Sequence, residues 1–147
     1  MRASNEMHLQ IESRSCNENF ARVTVAAFAT QLDPTLEEIS EIKTAVSEAV
    51  TNCIVHGYAD EIGIIYITAK IFDDRRLQVV IRDKGCGIED IRQAREPLFT
   101  TVTSGERSGM GFTIMETFSD GIRVTSKPGR GTRVWLEKRI YGKERGA

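Results

Sequence analysis

Leu77-Gln78-Val79-Val80-Ile81-Arg82-Asp83-Lys84-Gly85-Cys86-Gly87 runs from an apolar, β-branched stretch into a carboxylate and then through two glycines. The first part predicts a strand over 77–83, and the glycines predict a tight turn beyond it. A second β-branched stretch, 62–72, precedes it across Asp73-Asp74-Arg75. The two read as an antiparallel hairpin that delivers Asp83 to a strand end. Gly85 and Gly87 permit close backbone approach to a flat ligand, and a buried carboxylate at Asp83 can accept from the amino group of adenine. A plain turn after a strand uses the same residue types, so this stretch alone leaves both readings open.

Upstream, Met7 to Ser13 predicts a short strand. Ser15 with Glu18 has the form of a capping box and predicts a helix to about Gln31, with Phe20, Val23, Ala27 and Phe28 as its apolar stripe. Thr35 and Glu38 repeat the box, and Ile39, Ile42, Val46, Ala49, Val50 and Cys53 recur at helical spacing until Gly57 stops the helix. Downstream, 90–95 reads as one helical turn, 96–108 as a Thr-, Ser- and Gly-rich loop, and 111–118 as a helix. Gly121 to Ser126 and Thr132 to Arg139 predict two strands joined at Pro128-Gly129-Arg130-Gly131. Helices followed by a run of strands predict an α+β fold, a two-layer α/β sandwich on a mixed, mostly antiparallel sheet.

The 147 residues, 40% hydrophobic, predict one globular domain over 1–147. A net charge of -1 with both signs interspersed gives no electrostatic footprint for nucleic acid or an anionic membrane. Cys16, Cys53 and Cys86 have neither disulfide nor zinc-site spacing, and the N-terminus has no apolar signal core, which predicts a reduced, cytoplasmic chain. No apolar run approaches the roughly 20 residues of a membrane helix.

Two further constellations carry chemistry. Glu48 and Asn52 lie four apart on the long predicted helix, one above the other and away from its apolar stripe. A carboxylate there can take a proton from a nucleophile, and a carboxamide oxygen can coordinate a hard cation such as Mg²⁺ that also holds phosphates. On its own the pair is accounted for more simply by a solvated helix face. Gly105, Gly109 and Gly111 surround Arg107 and end at a predicted helix start, where free amides favour a polyphosphate and the guanidinium adds a forked positive charge. A flexible loop with a solvated Arg is the plainer alternative. There is no GxxxxGK[ST] loop, and Gly85-Cys86-Gly87 lacks the third glycine of a dinucleotide fingerprint, so both of those phosphate motifs are rejected.

Taken in order, Glu48-Ala49-Val50-Thr51-Asn52, Asp83 to Gly87 and Gly109-Met110-Gly111 resemble the N box and two glycine boxes of the GHKL ATPase and kinase superfamily. The longer match is to the sporulation anti-sigma F factors, which are serine kinases. It runs through Asn19 to Phe28, Ser47 to Asn52, His56-Gly57-Tyr58, Pro97-Leu98-Phe99-Thr100-Thr101, Glu106 to Glu116 and Gly131-Thr132, nearly the whole chain. This resemblance implies a Bergerat fold binding ATP or ADP with Mg²⁺. Glu48 is then the base toward a serine hydroxyl, Asn52 the Mg²⁺ ligand and Asp83 the adenine reader. Thr132 and Gly87 support the adenine, and Gly85, Thr100, Thr101, Ser108, Gly109, Met110 and Gly111 complete the nucleotide site under a lid at about 96–108.

By the same resemblance, Arg107 faces the γ-phosphate and contacts an anti-anti-sigma protein, while Arg22, with Glu18 as a weaker candidate, contacts a sigma factor. The family acts as a homodimer. Lys84 and Cys86 depart from the acidic and aliphatic residues expected in the glycine box, and 102–105 replaces a more charged lid. Cys86 is expected to be a small buried hydrophobe. His8 and His56 are the only histidines, and His56, at the closing turn of a helix, reads as a cap or dipole partner before a phosphoacceptor. A stress-response anti-sigma kinase, or an ATPase or ATP-gated binder in which Glu48 activates water or nothing, remains a competing reading.

Overall fold

A computed structural model describes residues 1–87, 115–116 and 119–142. β1 (Asn5–Glu12), β2 (Ile64–Ile71), β3 (Arg76–Asp83), β4 (Gly121–Lys127) and β5 (Gly131–Arg139) form one sheet in the order β1-β2-β3-β5-β4. Its four pairings are all antiparallel, so among the described residues the sheet has none of the parallel pairing that a mixed sheet would add. Both expected hairpins form, and the first turns through Arg75 at φ 70°. Arg75 is held there by bonds from its guanidinium to the carbonyls of Leu32 and Ile140.

Period-two alternation decides where the key carboxylate points. Leu77, Val79 and Ile81 of β3 are buried, and Asp83 shares their face. It is 4% exposed at the rim of the apolar core, directly across the ladder from Thr132. Ile65, Ile67, Ala69 and Ile71 of β2 and Val134 and Leu136 of β5 complete the covered face.

Two helices cover it, α1 (Cys16–Ala29) and α2 (Leu36–Asn52). The capping box of α2 forms as expected: Thr35 Oγ1 accepts from the Glu38 amide at 3.1 Å, and Glu38 Oε1 accepts from the Thr35 amide at 2.9 Å. Glu38 also accepts from the amides of Tyr141 at 2.8 Å and Gly142 at 3.1 Å, so one carboxylate starts the helix and anchors the chain after β5. Ile42, Val46 and Val50 are buried, with Ala45 and Ala49 between them. A fully buried Val or Ile contributes about 1.5–3 kcal/mol.

α1 departs from expectation twice. Ser15 is already helical, at φ −58° and ψ −30°, and makes no side-chain cap bond. That geometry cannot aim its hydroxyl at an N3 amide, and the Glu18 carboxylate instead accepts from Ser47 Oγ on α2. The buried face is Ala21, Val25, Ala26 and Ala29, whereas Phe20 is 52% and Val23 46% exposed. Three alanines let α1 lie close to its neighbours, so size overrides hydrophobicity in choosing the face.

α2 does not end at a left-handed glycine. Cys53–Gly57 widens into a π turn closed by the Tyr58 amide on the Cys53 carbonyl at 2.8 Å, and Gly57 is not among the positive-φ residues. No helix among the described residues is long and apolar enough to cross a membrane.

Candidate functional site

The site is built where the π turn, the end of β3 and the β4–β5 turn meet. The Asp83 carboxylate accepts from the Gly85 amide at 2.9 Å. Burial pushes its pKa up, and the Gly85 amide, with the Cys53 thiol and the Thr132 amide nearby, only partly offsets the rise. Burial, followed by the Asp83 charge, drives the Cys53 thiol well above its ordinary value, so Cys53 acts as a neutral donor.

Glycine is required around this carboxylate because backbone comes close, a reason different from the turn flexibility predicted for it. A Cβ on Gly57 would stand 2.8 Å from Asp83 Oδ2. A Cβ on Gly85 would stand 2.9 Å from Gly57 Cα and closer still to the Gly57 carbonyl. Gly87, at φ 78°, lies against the Lys127 carbonyl, and Gly131, at φ 102°, lies against Asp83 backbone. The Cys86 amide donates to the Gly57 carbonyl at 2.9 Å, and the Gly129 amide to the Cys86 carbonyl at 2.6 Å. The result is a nearly buried carboxylate walled by bare backbone, an acceptor suited to a group that carries a hydrogen-bond donor.

Asn52 is the last residue of α2 and immediately precedes Cys53, whose thiol feels the Asp83 charge. Its Nδ2 is buried without a hydrogen-bond partner. A rotation of the amide exchanges Nδ2 with Oδ1, so the position can present a donor to a phosphate oxygen or an oxygen to Mg²⁺. Among the described residues no group of three His, Cys, Asp or Glu side chains is arranged to hold a metal. Glu48 is half-buried one helical turn earlier on the same helix.

Thr132 Oγ1 lies 2.9 Å from Ser126 Oγ, which places its hydroxyl in the β4–β5 pairing while its backbone stands across the ladder from Asp83. Cys86 corrects the expectation of burial: it is exposed, with Sγ 2.9 Å from the His56 carbonyl. The glycines on either side bring its backbone under the π turn and leave the side chain outside. Lys84 is also exposed, its Nζ 4.9 Å from the centre of the Tyr66 ring. Arg22 lies on α1, away from this site in sequence, with Asn19 Oδ1 bonded to its guanidinium and Glu18 at 4.0 Å. Thr100, Thr101, Arg107, Ser108, Gly109, Met110, Gly111 and the expected lid at 96–108 lie outside the described residues.

Three participants were not predicted from the sequence: Cys53, read as part of an apolar stripe; Gly57, read as a helix stop; and Tyr58. The signal available was the run Cys53-Ile54-Val55-His56-Gly57-Tyr58, where a glycine followed by an aromatic closes an apolar helix within one turn of a candidate ligand.

Residues 14–138 match the histidine kinase-like ATPase domain family. The chain is 57% identical to the anti-sigma F factor of Geobacillus kaustophilus (strain HTA426), over 92% of this chain and 93% of that protein. It is 56% identical to the anti-sigma F factor of Caldanaerobacter subterraneus subsp. tengcongensis, over 95% and 97%. Among solved structures, the RsbU and RsbW domains of Rv1364c from Mycobacterium tuberculosis superpose with a TM-score of 0.68 at 19% identity, covering 93% of this chain and 32% of that one. Full-length ShkA in complex with AMPPNP superposes with a TM-score of 0.59 at 18% identity, covering 85% and 30%. These two likenesses are of fold.

Proposed function

The chain belongs to the histidine kinase-like ATPase family and, within it, to the anti-sigma F factors, and from that premise we propose that it is a protein-serine kinase as well as an inhibitor. In this reading it holds a sigma-F type sigma factor and, with ATP and Mg²⁺, phosphorylates the anti-anti-sigma protein that would displace it. The observation that carries the nucleotide part is the Asp83 carboxylate, 4% exposed, facing backbone kept bare at Gly57 and Gly85.

Each residue has a separable task. Asp83 accepts from the adenine amino group, Gly85 lets the chain pass close under Gly57 so that the carboxylate is held in place, and Gly87 and Thr132 flank the base. Asn52 takes Mg²⁺ through its oxygen. Glu48, on the same helix, accepts the proton of the attacking serine hydroxyl. Thr100, Thr101, Ser108, Gly109, Met110 and Gly111 supply donors to the phosphates, and Arg107 supplies a permanent charge to them and a contact to the anti-anti-sigma protein. ATP, when bound, supplies the phosphoryl group. Arg22 and Glu18 on α1 face the sigma factor, and the unit is a cytoplasmic homodimer of single domains, 1–147.

Incubation with γ-labelled ATP and cell extract, followed by identification of the labelled partner and residue, tests this. An acid-stable phosphoserine on a separate small protein is expected. An acid-labile phosphate on this chain itself would overturn the serine-kinase reading, and release of phosphate without transfer would make it an ATPase. Glu48→Ala should abolish transfer while sparing sigma-factor binding, and Arg22→Ala should do the reverse. Loss of both functions in either variant would contradict the division.

A further inference from the structure

Tyr58 follows the π turn and is 6% exposed. Its hydroxyl donates to the Ile64 carbonyl at 2.6 Å and accepts from the Lys84 amide at 2.7 Å. Lys84 is the residue after Asp83, so the second bond fixes the backbone from which the buried carboxylate projects. The chain is shaped around this ring: a Cβ on Gly63 would come within 2.5 Å of Tyr58 Cδ1. The Tyr58 amide closes the π turn on Cys53, one residue after Asn52. One side chain therefore links the end of the helix bearing Glu48 and Asn52, the start of β2, and the end of the strand bearing Asp83. The neighbouring Gly57 carbonyl adds a parallel link by accepting from the Cys86 amide at 2.9 Å.

A π turn inside a helix forfeits regular bonding and persists where something else is gained, which is why such turns cluster at functional sites. Here the extra residue swings the Tyr58 amide and ring out of the helical path and lets the ring reach across to β2 and Lys84. A hydroxyl was not needed merely to fill that volume, since Phe has nearly the same shape. What the hydroxyl adds is direction: it answers the Ile64 carbonyl and the Lys84 amide, both part-buried, at the same time, and Phe would answer neither.

We infer that Tyr58 is a positioning residue for nucleotide selection, its hydroxyl setting the Asp83 carboxylate at a fixed distance and angle from Asn52 so that base and phosphates are read as one rigid ligand. This rests on the Mg-nucleotide reading of the site. Tyr58 touches no reacting atom; it acts through Lys84 and Asp83. Removing its hydroxyl should weaken recognition of the base more than recognition of the phosphates, because the Asp83 backbone loosens while the helix carrying Asn52 is retained.

The test compares wild type, Tyr58→Phe and Val25→Ala, the last a core truncation on α1 that lowers stability away from the site. Calorimetric affinities for Mg-ATP, Mg-GTP and Mg-tripolyphosphate are measured on each, together with hydrogen exchange at the Lys84 amide. Tyr58→Phe should bind ATP about tenfold more weakly, the loss of one well-formed bond's worth of positioning, with tripolyphosphate within twofold of wild type. The ATP-over-GTP preference should shrink and Lys84 should exchange faster, while Val25→Ala keeps wild-type selectivity. Equal losses for all three ligands, or Tyr58→Phe indistinguishable from Val25→Ala, would overturn the inference. A wild-type protein that binds tripolyphosphate as tightly as ATP would instead overturn the role of Asp83, and the inference with it.

Discussion

Replacing Gly85 by alanine separates a glycine dictated by neighbouring backbone from one that merely suits a turn. The new Cβ would stand 2.9 Å from Gly57 Cα and closer to the Gly57 carbonyl, and neither atom can be moved by a rotamer change. Restoring ordinary contact requires the two segments to part by roughly 1 Å. That movement breaks the bond from the Cys86 amide to the Gly57 carbonyl and the bond from the Gly85 amide to Asp83, both 2.9 Å. The two bonds are worth about 1 kcal/mol each, and the residual overpacking costs about 1–3 kcal/mol, so the loss is about 3–5 kcal/mol. For a chain of this size that lowers Tm by roughly 10 °C. Gly129→Ala is the control, because Gly129, at φ 76°, has nothing within 4 Å of its added Cβ. Only left-handed strain of about 1–2 kcal/mol applies there. Urea unfolding of both variants, with titration of a fluorescent ATP analogue, reads the two effects. Gly85→Ala unfolding within about 1 kcal/mol of Gly129→Ala, with unchanged nucleotide affinity, would refute the close-approach argument.

Glu38→Gln should lose about 1.5–3 kcal/mol at neutral pH, since three amides donate to the charged carboxylate. Burial pushes Glu38 up, but the Thr35, Tyr141 and Gly142 amides together hold its pKa below the ordinary value. Its contribution is therefore complete above the ordinary carboxylate pKa and is lost as pH falls through the lower folded value, so the gap to wild type in urea unfolding should close only in acid. A gap that widens in acid would reverse the sign of the argument. Asn52→Ala removes a buried unpaired donor and should leave the ligand-free chain as stable as wild type or up to about 1–3 kcal/mol more so, while abolishing the Mg²⁺ dependence of nucleotide binding. Marked destabilisation would assign Asn52 to packing. Cys86 is exposed between the two glycines, so ATP should slow its alkylation while leaving that of exposed Cys16 unchanged; equal rates with and without ATP would separate Cys86 from the bound nucleotide.

What could be read from the sequence was whatever local chemistry decides. The Thr35 and Glu38 box, the 64–83 hairpin and the inward parity of Asp83 follow from side-chain period and capping alone. The burial of α1 does not, because Phe20 and Val23 are more apolar than Ala21 and Ala26 and still lie outside. Helix approach distance is a tertiary quantity, and a single-helix pattern contains no trace of it. The Ser15 and Glu18 box failed for a related reason: Ser47, 29 residues away, offers Glu18 a donor that the local spacing could not reveal. The candidate site divides along the same line. Asp83, Gly85 and Asn52 were visible as residue types at suggestive positions, whereas the parts played by Cys53, Gly57 and Tyr58 depend on contacts between the π turn and the end of β3.

Those contacts place energetic deficits where a ligand's groups would land. The fold raises the Asp83 pKa, so the stability its neutral form contributes is lost as pH rises through the folded value, and an apolar residue would cost the core less. The unpaired Asn52 amide is a second such cost, about 1–3 kcal/mol for a buried donor. Neither is needed to pack α2 on the sheet, which Ile42, Val46 and Val50 do without polar help. An adenine amino group donating to Asp83, with phosphate or Mg²⁺ answering Asn52, would relieve both at once. A ligand at a hundred times its Kd stabilises the folded chain by about 2.7 kcal/mol, comparable with those costs. The rigid link through Tyr58 then has a physical purpose: two deficits held at a fixed spacing discriminate a whole nucleotide from its fragments, and two that moved independently would accept either.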